Sequence, residues 1–530
     1  MKLASILPRL TLLSMFAASA VACSAAVEDT VSADEGEEDL TSLTALSREV
    51  KFGGVVYVER GASDATILSA VRTQTKTAFG PLREAGIAVN SRELKEVNPD
   101  TFAKREVTVV DTAVANDRGK PALEVRYTYV DSGVVDKKLA RRSSIPLAVL
   151  SPGHGSQSER ILTECTANDS HARDFASSLW YVFNPNLAGC KAAIKAESEK
   201  VGAERAKLRD VQVQVSRAEA ERLYVPVTVA LGANKTNTGA SYPEYHRLYK
   251  GGVEQGALVV SLVYGTIDHE THANPGDDYG YSQFMDNMNE VFKSRPGFKL
   301  IKSEGEDISR ITLASGKSFD AVTFQEIVAL ESSGGFRNAT YSEQEEVKNI
   351  VATRINRKWL TFELPVKVAI GTEAPRAFKL KLLTYFGADS DSTPHKFGIK
   401  NSDVFIYNGH SYIGAGPLDP SRFTAADFPK SYQILFIDGC VSYNYYEKDY
   451  FPMKEGGTAN LELITNGLEA PSYQSGLALG RFVTRLLDGT SASYRDLLTA
   501  AQATDSLRVV DGELGNAFTP RKYPIKVTAP

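Results

Sequence analysis

Residues Ser402 to Ser442 give the clearest indication of the fold in this sequence. This stretch contains two short apolar runs that each end in a reactive side chain, Asp403-Val-Phe-Ile-Tyr-Asn-Gly-His410-Ser411 and Gln433-Ile-Leu-Phe-Ile-Asp438-Gly439-Cys440-Val441-Ser442. Both runs are rich in β-branched or aromatic residues and are bounded by glycine, which predicts buried parallel strands. In open α/β sheets, chemistry lies at the carboxyl ends of such strands. We therefore expect His410 and Cys440 to lie together at one edge of a sheet.

A cysteine beside a histidine pairs a nucleophile with a base, because the thiolate is the reactive form and an imidazole can remove the thiol proton. An apolar strand followed by Gly409-His410, and a second followed by Asp438-x-Cys440, resembles the caspase-fold cysteine peptidases. This family includes caspases, metacaspases, gingipains, clostripain-like enzymes and legumains. The resemblance is good over residues 400–475 and loose over 255–400. It implies that His410 is the base and Cys440 the nucleophile of a catalytic dyad.

The resemblance also assigns roles to the residues around the dyad. It implies an oxyanion hole formed by the backbone N–H groups of Cys440 and Ser411, where the family usually has glycine after the histidine. Asp438 would form the floor of a pocket for Arg or Lys, since a carboxylate pairs well with guanidinium. The alternative is that Asp438 caps the strand end. Glu469 and Ser472 would lie on a loop lining the substrate groove. No cofactor or metal is implied.

The N-terminus has the pattern of an export signal, with positive charge at Lys2 and Arg9 followed by a small, apolar segment. Ala20-Val21-Ala22-Cys23 resembles a bacterial lipobox, so we expect a signal peptide over 1–22 and a lipid on Cys23. Plain secretion is the alternative, because Ala-x-Ala also suits ordinary signal peptidase. We expect a lipoprotein of the cell envelope, in the periplasm or at the outer membrane.

The expected export to an oxidising compartment also predicts the state of the remaining cysteines. Cys165 and Cys190 are close in sequence and can form a disulfide in an oxidising environment. This pairing leaves Cys440 as a free thiol in an exported protein. A buried, inert cysteine is the alternative, but the Asp-x-Cys context favours a reactive one.

With 530 residues the chain is expected to contain more than one domain, all of α/β character. The acidic segment 23–48 predicts a disordered tether. We expect an N-terminal α+β or α/β domain of unknown role over 49–235 and a linker over 236–254. The caspase-like domain would span 255–530, with a mostly parallel sheet flanked by helices and an insertion near 307–375.

Two local patterns predict details of the sheets. Pro226 interrupts the alternating run Leu223–Leu231, which predicts an edge strand because proline cannot donate to the ladder. The strand, helix and strand between Ala257 and Lys302 predict a right-handed βαβ unit.

Two further histidine motifs offer alternative sites. His154 follows an apolar strand in Gly153-His154-Gly155, with Cys190 as its possible cysteine partner. We prefer a turn there, because Cys190 follows a loop and has a better use in the disulfide. The loop Asp268-His269-Glu-Thr-His272 suggests a metal, but it lacks the helical spacing of a zinc site. A solvated polar loop is the simpler interpretation.

These patterns predict a cysteine endopeptidase that cleaves peptide bonds, with Arg or Lys before the scissile bond as the implied preference. The expected partners are a peptide or protein substrate and a membrane, through Cys23. A net charge of −5 argues against nucleic acid. One alternative is a catalytically inactive caspase-like surface lipoprotein that acts as a binding or scaffold module. Another is a zymogen in which the first domain covers the cleft.

Overall fold

Two β-sheets, formed by largely successive parts of the chain, are the framework of the protein. The structure is a computed structural model and describes residues 40–167, 170–268, 272–333, 335–388, 390–470, 475–501 and 506–530. These residues belong to one compact unit. Helices and both parallel and antiparallel strands are present, so the expected mixed α/β class is confirmed.

The smaller sheet comes from the N-terminal part of the chain. After β1 (Thr41–Ser42), which belongs to the larger sheet, its seven strands are β2 (Ala45–Glu59), β3 (Ile87–Val89), β4 (Ala103–Val110), β5 (Lys120–Asp136), β6 (Ser144–Leu150), β7 (Gln214–Ser216) and β8 (Tyr224–Asn234). Their order is β6-β8-β2-β5-β4-β7, with β3 also on β5. All pairs are antiparallel except β4 with β7.

The larger sheet has a parallel centre and antiparallel edges. The remaining strands are β9 (Ala257–Gly265), β10 (Lys299–Ser303), β11 (Ile311–Thr312), β12 (Ser318–Phe319), β13 (Leu360–Ile370), β14 (Arg376–Ala388), β15 (Val404–Asn408), β16 (Gln433–Asp438), β17 (Leu461–Asn466), β18 (Arg508–Asp511) and β19 (Ile525–Thr528). The sheet order is β1-β18-β17-β16-β15-β9-β14-β13-β10, with β19 on β13; β11 and β12 form a separate pair. Strands β14, β9, β15, β16 and β17 run parallel.

Helices cover both faces of the larger sheet. The helices are α1 (Asp64–Lys76), α2 (Phe79–Glu84), α3 (Ser158–Cys165), α4 (Ser170–Asp174), α5 (Leu179–Val182), α6 (Ala188–Arg205), α7 (Arg217–Ala220), α8 (Tyr245–Leu248), α9 (Tyr279–Ser294), α10 (Phe324–Ser333), α11 (Tyr341–Ile355), α12 (Thr393–Lys400), α13 (Ser442–Tyr450), α14 (Ser475–Leu487) and α15 (Tyr494–Ala501). No helix within the described ranges is long and apolar enough to cross a membrane.

Alternate side chains of the central strands point to two different cores, as a pleated strand requires. Ile406 and Phe436 face a core that contains side chains of α9 and α14. Phe405 and Leu435 face a second core, which they share with Phe52 of β2. The N-terminal sheet region therefore packs directly on the larger sheet, and their common apolar core makes the two parts one body.

Polar contacts reinforce this packing beside the Cys440 loop. The side-chain amide of Asn444, on α13, donates to the carbonyl oxygens of Val89 and Ser91 at 3.0 and 2.7 Å. Asn90 in turn donates to the Glu447 carboxylate at 3.1 Å. Because α13 begins two residues after Cys440, these bonds connect the candidate nucleophile to the N-terminal region.

The expected disordered tether over 23–48 is wrong for its last residues. Leu40 and Ala45 are buried, β1 pairs with β18, and β2 begins at Ala45. The acidic composition that suggested disorder ends at Asp39, and apolar and β-branched residues follow it. Residues 23–39 lie outside the described residues.

Two sheet details also differ from expectation. Strand β8 lies between β6 and β2, so it is not an edge strand. Its pairing with β2 begins only at Val229, which leaves Pro226 without a partner strand on that side. Strand β10 is an antiparallel edge on β13, so β9, α9 and β10 do not form a parallel βαβ unit. Strand β13, inside the expected insertion, is an integral part of the main sheet.

Candidate functional site

The two central strands β15 and β16 end side by side. Asn408 and Asp438 are paired in parallel register, and His410 and Cys440 each follow two residues later. Neighbouring strands lie about 5 Å apart, so the two loops start close together. They also touch: a methyl group added at Gly439 would lie 2.5 Å from the Ser411 hydroxyl oxygen.

A single cavity of about 820 Å³ contains both reactive side chains. Its size is within the range of ligand-binding clefts. One wall comes from the strand ends of the larger sheet, with His410, Ser411 and Cys440. The opposite wall comes from the N-terminal region, between residues 167 and 187 and at Arg83 and Glu84. The cleft therefore lies between the two parts of the protein.

A backbone carbonyl orients the His410 ring. The ring nitrogen Nε2 lies 2.8 Å from the carbonyl oxygen of Ile267, just after β9. Because a carbonyl only accepts, Nε2 carries the hydrogen and the basic lone pair of the neutral ring is on Nδ1. Tyr412 packs edge-on against the ring, with 5.6 Å between centroids. The neutral ring therefore has Nδ1 as its proton-accepting nitrogen.

The loop that provides this carbonyl is held by Asp278. Its carboxylate accepts hydrogen bonds from the backbone N–H groups of Ile267, Asp268 and Gly280 at 3.0, 3.3 and 2.6 Å. Asp268 also bonds the His272 ring at 2.7 Å. Asp268, His272 and Asp278 bring ligand atoms within 4.8 Å of one another. His269 lies outside the described residues. These bonds give the acidic loop a structural role beside the base.

The surroundings of Cys440 favour the neutral thiol over the thiolate at neutral pH. Burial raises its pKa to about 11, and the carboxylates of Glu469 and Asp438 act in the same direction. The Arg83 guanidinium and a contact of 4.0 Å between Sγ and the carbonyl oxygen of Ala470 act in the opposite direction. A thiol of this kind needs a base to remove its proton during attack.

The backbone at the loop ends can stabilise an oxyanion. Neither the Ser411 nor the Cys440 amide N–H has an acceptor among the residues that the structure describes. Val441 adopts a left-handed conformation, with a φ of 52°, and caps the N-terminus of α13. Such a helix terminus favours negative charge. Serine at position 411 therefore retains a backbone N–H donor at the end of the strand.

Asp438 is directed away from the cleft. Its carboxylate accepts hydrogen bonds from Arg508 and Asn466, both at 2.7 Å. Asp438 and Arg508 are buried, and neither lines the cavity. The expected role of Asp438 as the floor of a substrate pocket is therefore not supported. The residue instead joins β16 to β17 and β18, and its partner Arg508 lies 70 positions further along the chain.

Glu469 lies where the sequence pattern suggests. It lines the cavity, its side chain is 45% exposed, and its carboxylate pairs with Arg83 at 2.8 Å. The hydroxyl group of Tyr181 donates to the same oxygen at 3.3 Å. Ser472 and Cys23, the expected groove and lipid-bearing residues, lie outside the described residues.

The disulfide between Cys165 and Cys190 is confirmed. It removes Cys190 as a partner for His154, whose Nδ1 lies 2.8 Å from the carbonyl oxygen of Ser151 in a turn. Cys440 is the free cysteine of the described residues. The alternative His154/Cys190 dyad is therefore wrong.

Sequence patterns missed the opposite wall of the cleft. Arg83, Phe175 and Tyr181 line the cavity although they precede Cys440 by more than 250 positions. No local motif marks such residues, because only the packing of the N-terminal region on the larger sheet brings them to the site. Comparison with known proteins found no match among protein-family models, curated proteins or solved structures.

Proposed function

We propose that the chain is a cysteine endopeptidase in which Cys440 is the nucleophile and His410 the general base. The observation that supports this most is the register of β15 and β16, which brings both side chains to one cavity. The bond from His410 to Ile267 selects the tautomer that the reaction requires. The amides of Ser411 and Cys440 complete the arrangement.

The chemistry follows from these groups. His410 Nδ1 takes the Cys440 proton as the sulfur attacks the peptide carbonyl, and the amides of Ser411 and Cys440 stabilise the oxyanion. The C–N bond then breaks, and the imidazolium gives its proton to the leaving amine. Water attacks the thioester, His410 takes its proton, and the C–S bond breaks. The sulfur regains the proton from His410, which restores the resting site.

A preference for Arg or Lys before the scissile bond remains part of the proposal, with Glu469 in place of Asp438. The Glu469 carboxylate lines the cleft and is partly exposed, so a substrate cation can reach it. Binding would compete with Arg83 for this carboxylate. Glu469→Gln is expected to lower kcat/KM for Arg or Lys substrates about tenfold, the effect of one modest ion pair.

Export to the cell envelope is the second part of the proposal. The Cys165–Cys190 disulfide supports it, because such bonds persist in oxidising compartments. Attachment to a membrane would depend on a lipid on Cys23. Metabolic labelling with a radioactive fatty acid tests this: the wild type should carry label and Cys23→Ser should not. A labelled Cys23→Ser protein would refute lipidation at this residue.

The catalytic proposal is tested with a library of quenched fluorogenic peptides. Cys440→Ala is expected to reduce hydrolysis by at least about a thousandfold, and His410→Ala by about a hundredfold or more. His154→Ala is the matched control, because this histidine also follows a strand but lies in a separate turn. Hydrolysis that persists in Cys440→Ala would refute the proposal.

A binding module without catalysis is the second candidate, and one observation favours it. The resting thiol is partly buried and has a pKa raised to about 11, unlike the low-pKa cysteines of many reactive sites. A module of this kind would bind peptides in the cleft but show no hydrolysis that depends on Cys440. Binding without turnover would therefore favour this second function.

A further inference from the structure

The wall opposite His410 and Cys440 has a distinct composition. It presents Ala172, Phe175, Tyr181, Val182 and Leu187 to the cavity. All five lie in the segment between Cys165 and Cys190, which the disulfide closes. Most of this surface is apolar, in contrast to the polar ends of the strands across the cleft.

This segment is firmly attached to the protein. Both cysteines are fully buried, and Phe183 is buried beside them. The backbone N–H of Asn184 donates to the carbonyl oxygen of Cys165 at 2.8 Å. Tyr181 packs on Phe175 with 4.8 Å between ring centroids. The wall is therefore formed before any ligand arrives, which reduces the entropic cost of binding.

The charged groups on this wall are already paired with one another. The Arg83 guanidinium contacts Glu84 at 3.1 Å and Glu469 at 2.8 Å, and it stacks over Tyr181 at 4.4 Å from the ring centroid. Between these paired charges and the disulfide, Phe175, Val182 and Leu187 are only half-buried. The surface that this part of the wall presents to a ligand is therefore apolar.

We infer that the disulfide-closed wall is an apolar subsite that takes a large apolar side chain, such as Phe or Leu, of an extended peptide substrate. The inference rests on the proposed function, because it assumes that the cleft binds a peptide. Transfer of such a side chain from water to an apolar surface drives binding without directional bonds. The subsite faces the Cys440 loop across one cavity, so the favoured side chain would lie within a few residues of the scissile bond.

Direct binding to the catalytically silenced Cys440→Ala protein tests the subsite without relying on turnover. Six-residue peptides would carry Phe, Leu, Gln or Arg at each position in turn, with affinity measured by calorimetry. We expect Phe or Leu at one position to bind about tenfold more tightly than Gln, a typical discrimination for an apolar pocket. Equal affinities for Phe, Leu and Gln at all positions would overturn the inference.

Variants locate the subsite on the wall. Adding Leu187→Ser or Phe175→Ser to Cys440→Ala should remove the tenfold preference for Phe or Leu over Gln. Tyr341→Ser is the matched control, because this side chain is 79% exposed and lies outside the cavity. Thermal melting identifies any variant that fails to fold. If one wall variant does not fold, the other wall variant provides the test.

The two proposals fail in different ways. A Phe or Leu preference that persists in both wall variants would overturn the subsite and leave the peptidase untouched. Conversely, absence of hydrolysis by the wild type would refute the peptidase. Apolar-selective binding that the wall variants abolish would still support the subsite in that case.

Discussion

The carboxylate of Asp438 lies 2.7 Å from the guanidinium of Arg508, and their side chains are 0% and 4% exposed. Arg508 also donates to Asn466 and to the carbonyl oxygen of Ala501, and it stacks over Phe436. A charge removed from water in this way is stable only while its partner remains. The pair therefore joins the carboxyl end of β16 to β18, which lies between β17 and β1 in the sheet.

Breaking this pair should destabilise the fold. We expect Asp438→Asn to lower the free energy of unfolding by about 3–5 kcal/mol, because it leaves the Arg508 charge buried without a counterion. Urea denaturation measures the change. The exposed pair of Lys430 and Glu455 is the control: Glu455→Gln should cost less than about 1 kcal/mol. An Asp438→Asn protein of normal stability that no longer cleaves after Arg or Lys would restore the substrate role.

The contact between Gly439 and Ser411 should control the geometry of the dyad. In Gly439→Ala, the new methyl carbon would lie 2.5 Å from Ser411 Oγ and 3.2 Å from the Gly409 carbonyl oxygen, so the Ser411 side chain must turn and the His410 loop must shift slightly. We expect kcat to fall about tenfold or more, because small displacements at a reacting centre are costly. Fluorogenic peptide hydrolysis measures the loss.

The double variant Ser411→Ala/Gly439→Ala provides the control. It removes the hydroxyl oxygen, so the nearest remaining neighbours of the new methyl group are the Gly409 carbonyl oxygen at 3.2 Å and Cβ of residue 411 at 3.7 Å. Ser411→Ala alone keeps both backbone donors and should retain activity. We expect the double variant to recover peptide hydrolysis. A double variant as inactive as Gly439→Ala would contradict the steric explanation.

The resting state of Cys440 predicts how it reacts with alkylating reagents. With a pKa of about 11, the thiolate fraction at neutral pH is small and grows about tenfold per pH unit. The rate of iodoacetamide labelling of Cys440, followed by peptide mass spectrometry, should therefore rise continuously from pH 6 to pH 10. A short unfolded peptide containing cysteine should instead level off above its ordinary pKa of about 8.5. A labelling rate that is high and constant below pH 7 would contradict a buried thiol.

The strands that carry the dyad could be predicted because their signal is local. In β15 and β16 every residue is buried, and each strand ends near a glycine. The same holds for the fully buried run of β9. Burial on both faces imposes a continuous apolar sequence, which is readable without knowledge of neighbouring strands.

The remaining features depend on partners that sequence patterns do not reveal. In the sequence, Asp438 suggests a substrate pocket because it lies two positions before Cys440. Its true partner, Arg508, lies on another strand and is not marked by any local pattern. Strand β10 follows a helix as in a βαβ unit, yet it pairs antiparallel at the sheet edge. Which strand it joins depends on tertiary packing. The apolar wall at Phe175 and Leu187 likewise lines the same cavity as Cys440 only because the N-terminal region packs on the larger sheet.

A buried carboxylate beside the N-terminal strand should make stability depend on pH. Glu513 is 2% exposed and follows β18, the partner of β1. Burial raises its pKa to about 7, although the neighbouring polar groups of Thr41 and Asn237 act in the opposite direction. The nearby Glu462 also has a raised pKa, mainly from burial and partly from the Glu513 charge. The folded protein thus holds protons that the unfolded chain has released.

Because the folded state binds more protons than the unfolded state between the ordinary glutamate pKa and about 7, stability should fall as pH rises through this window. The contribution of Glu513 amounts to at most ~3 kcal/mol, given 1.36 kcal/mol per pKa unit. Urea denaturation of the wild type and Glu513→Gln at pH 5, 6, 7 and 8 measures it. The variant lacks the ionisation, so its stability relative to the wild type should increase from pH 5 to pH 8. Parallel curves of stability against pH for the two proteins would show that Glu513 has the same pKa in the folded and unfolded states. The contact of β1 with β18 would then not depend on the ionisation of Glu513.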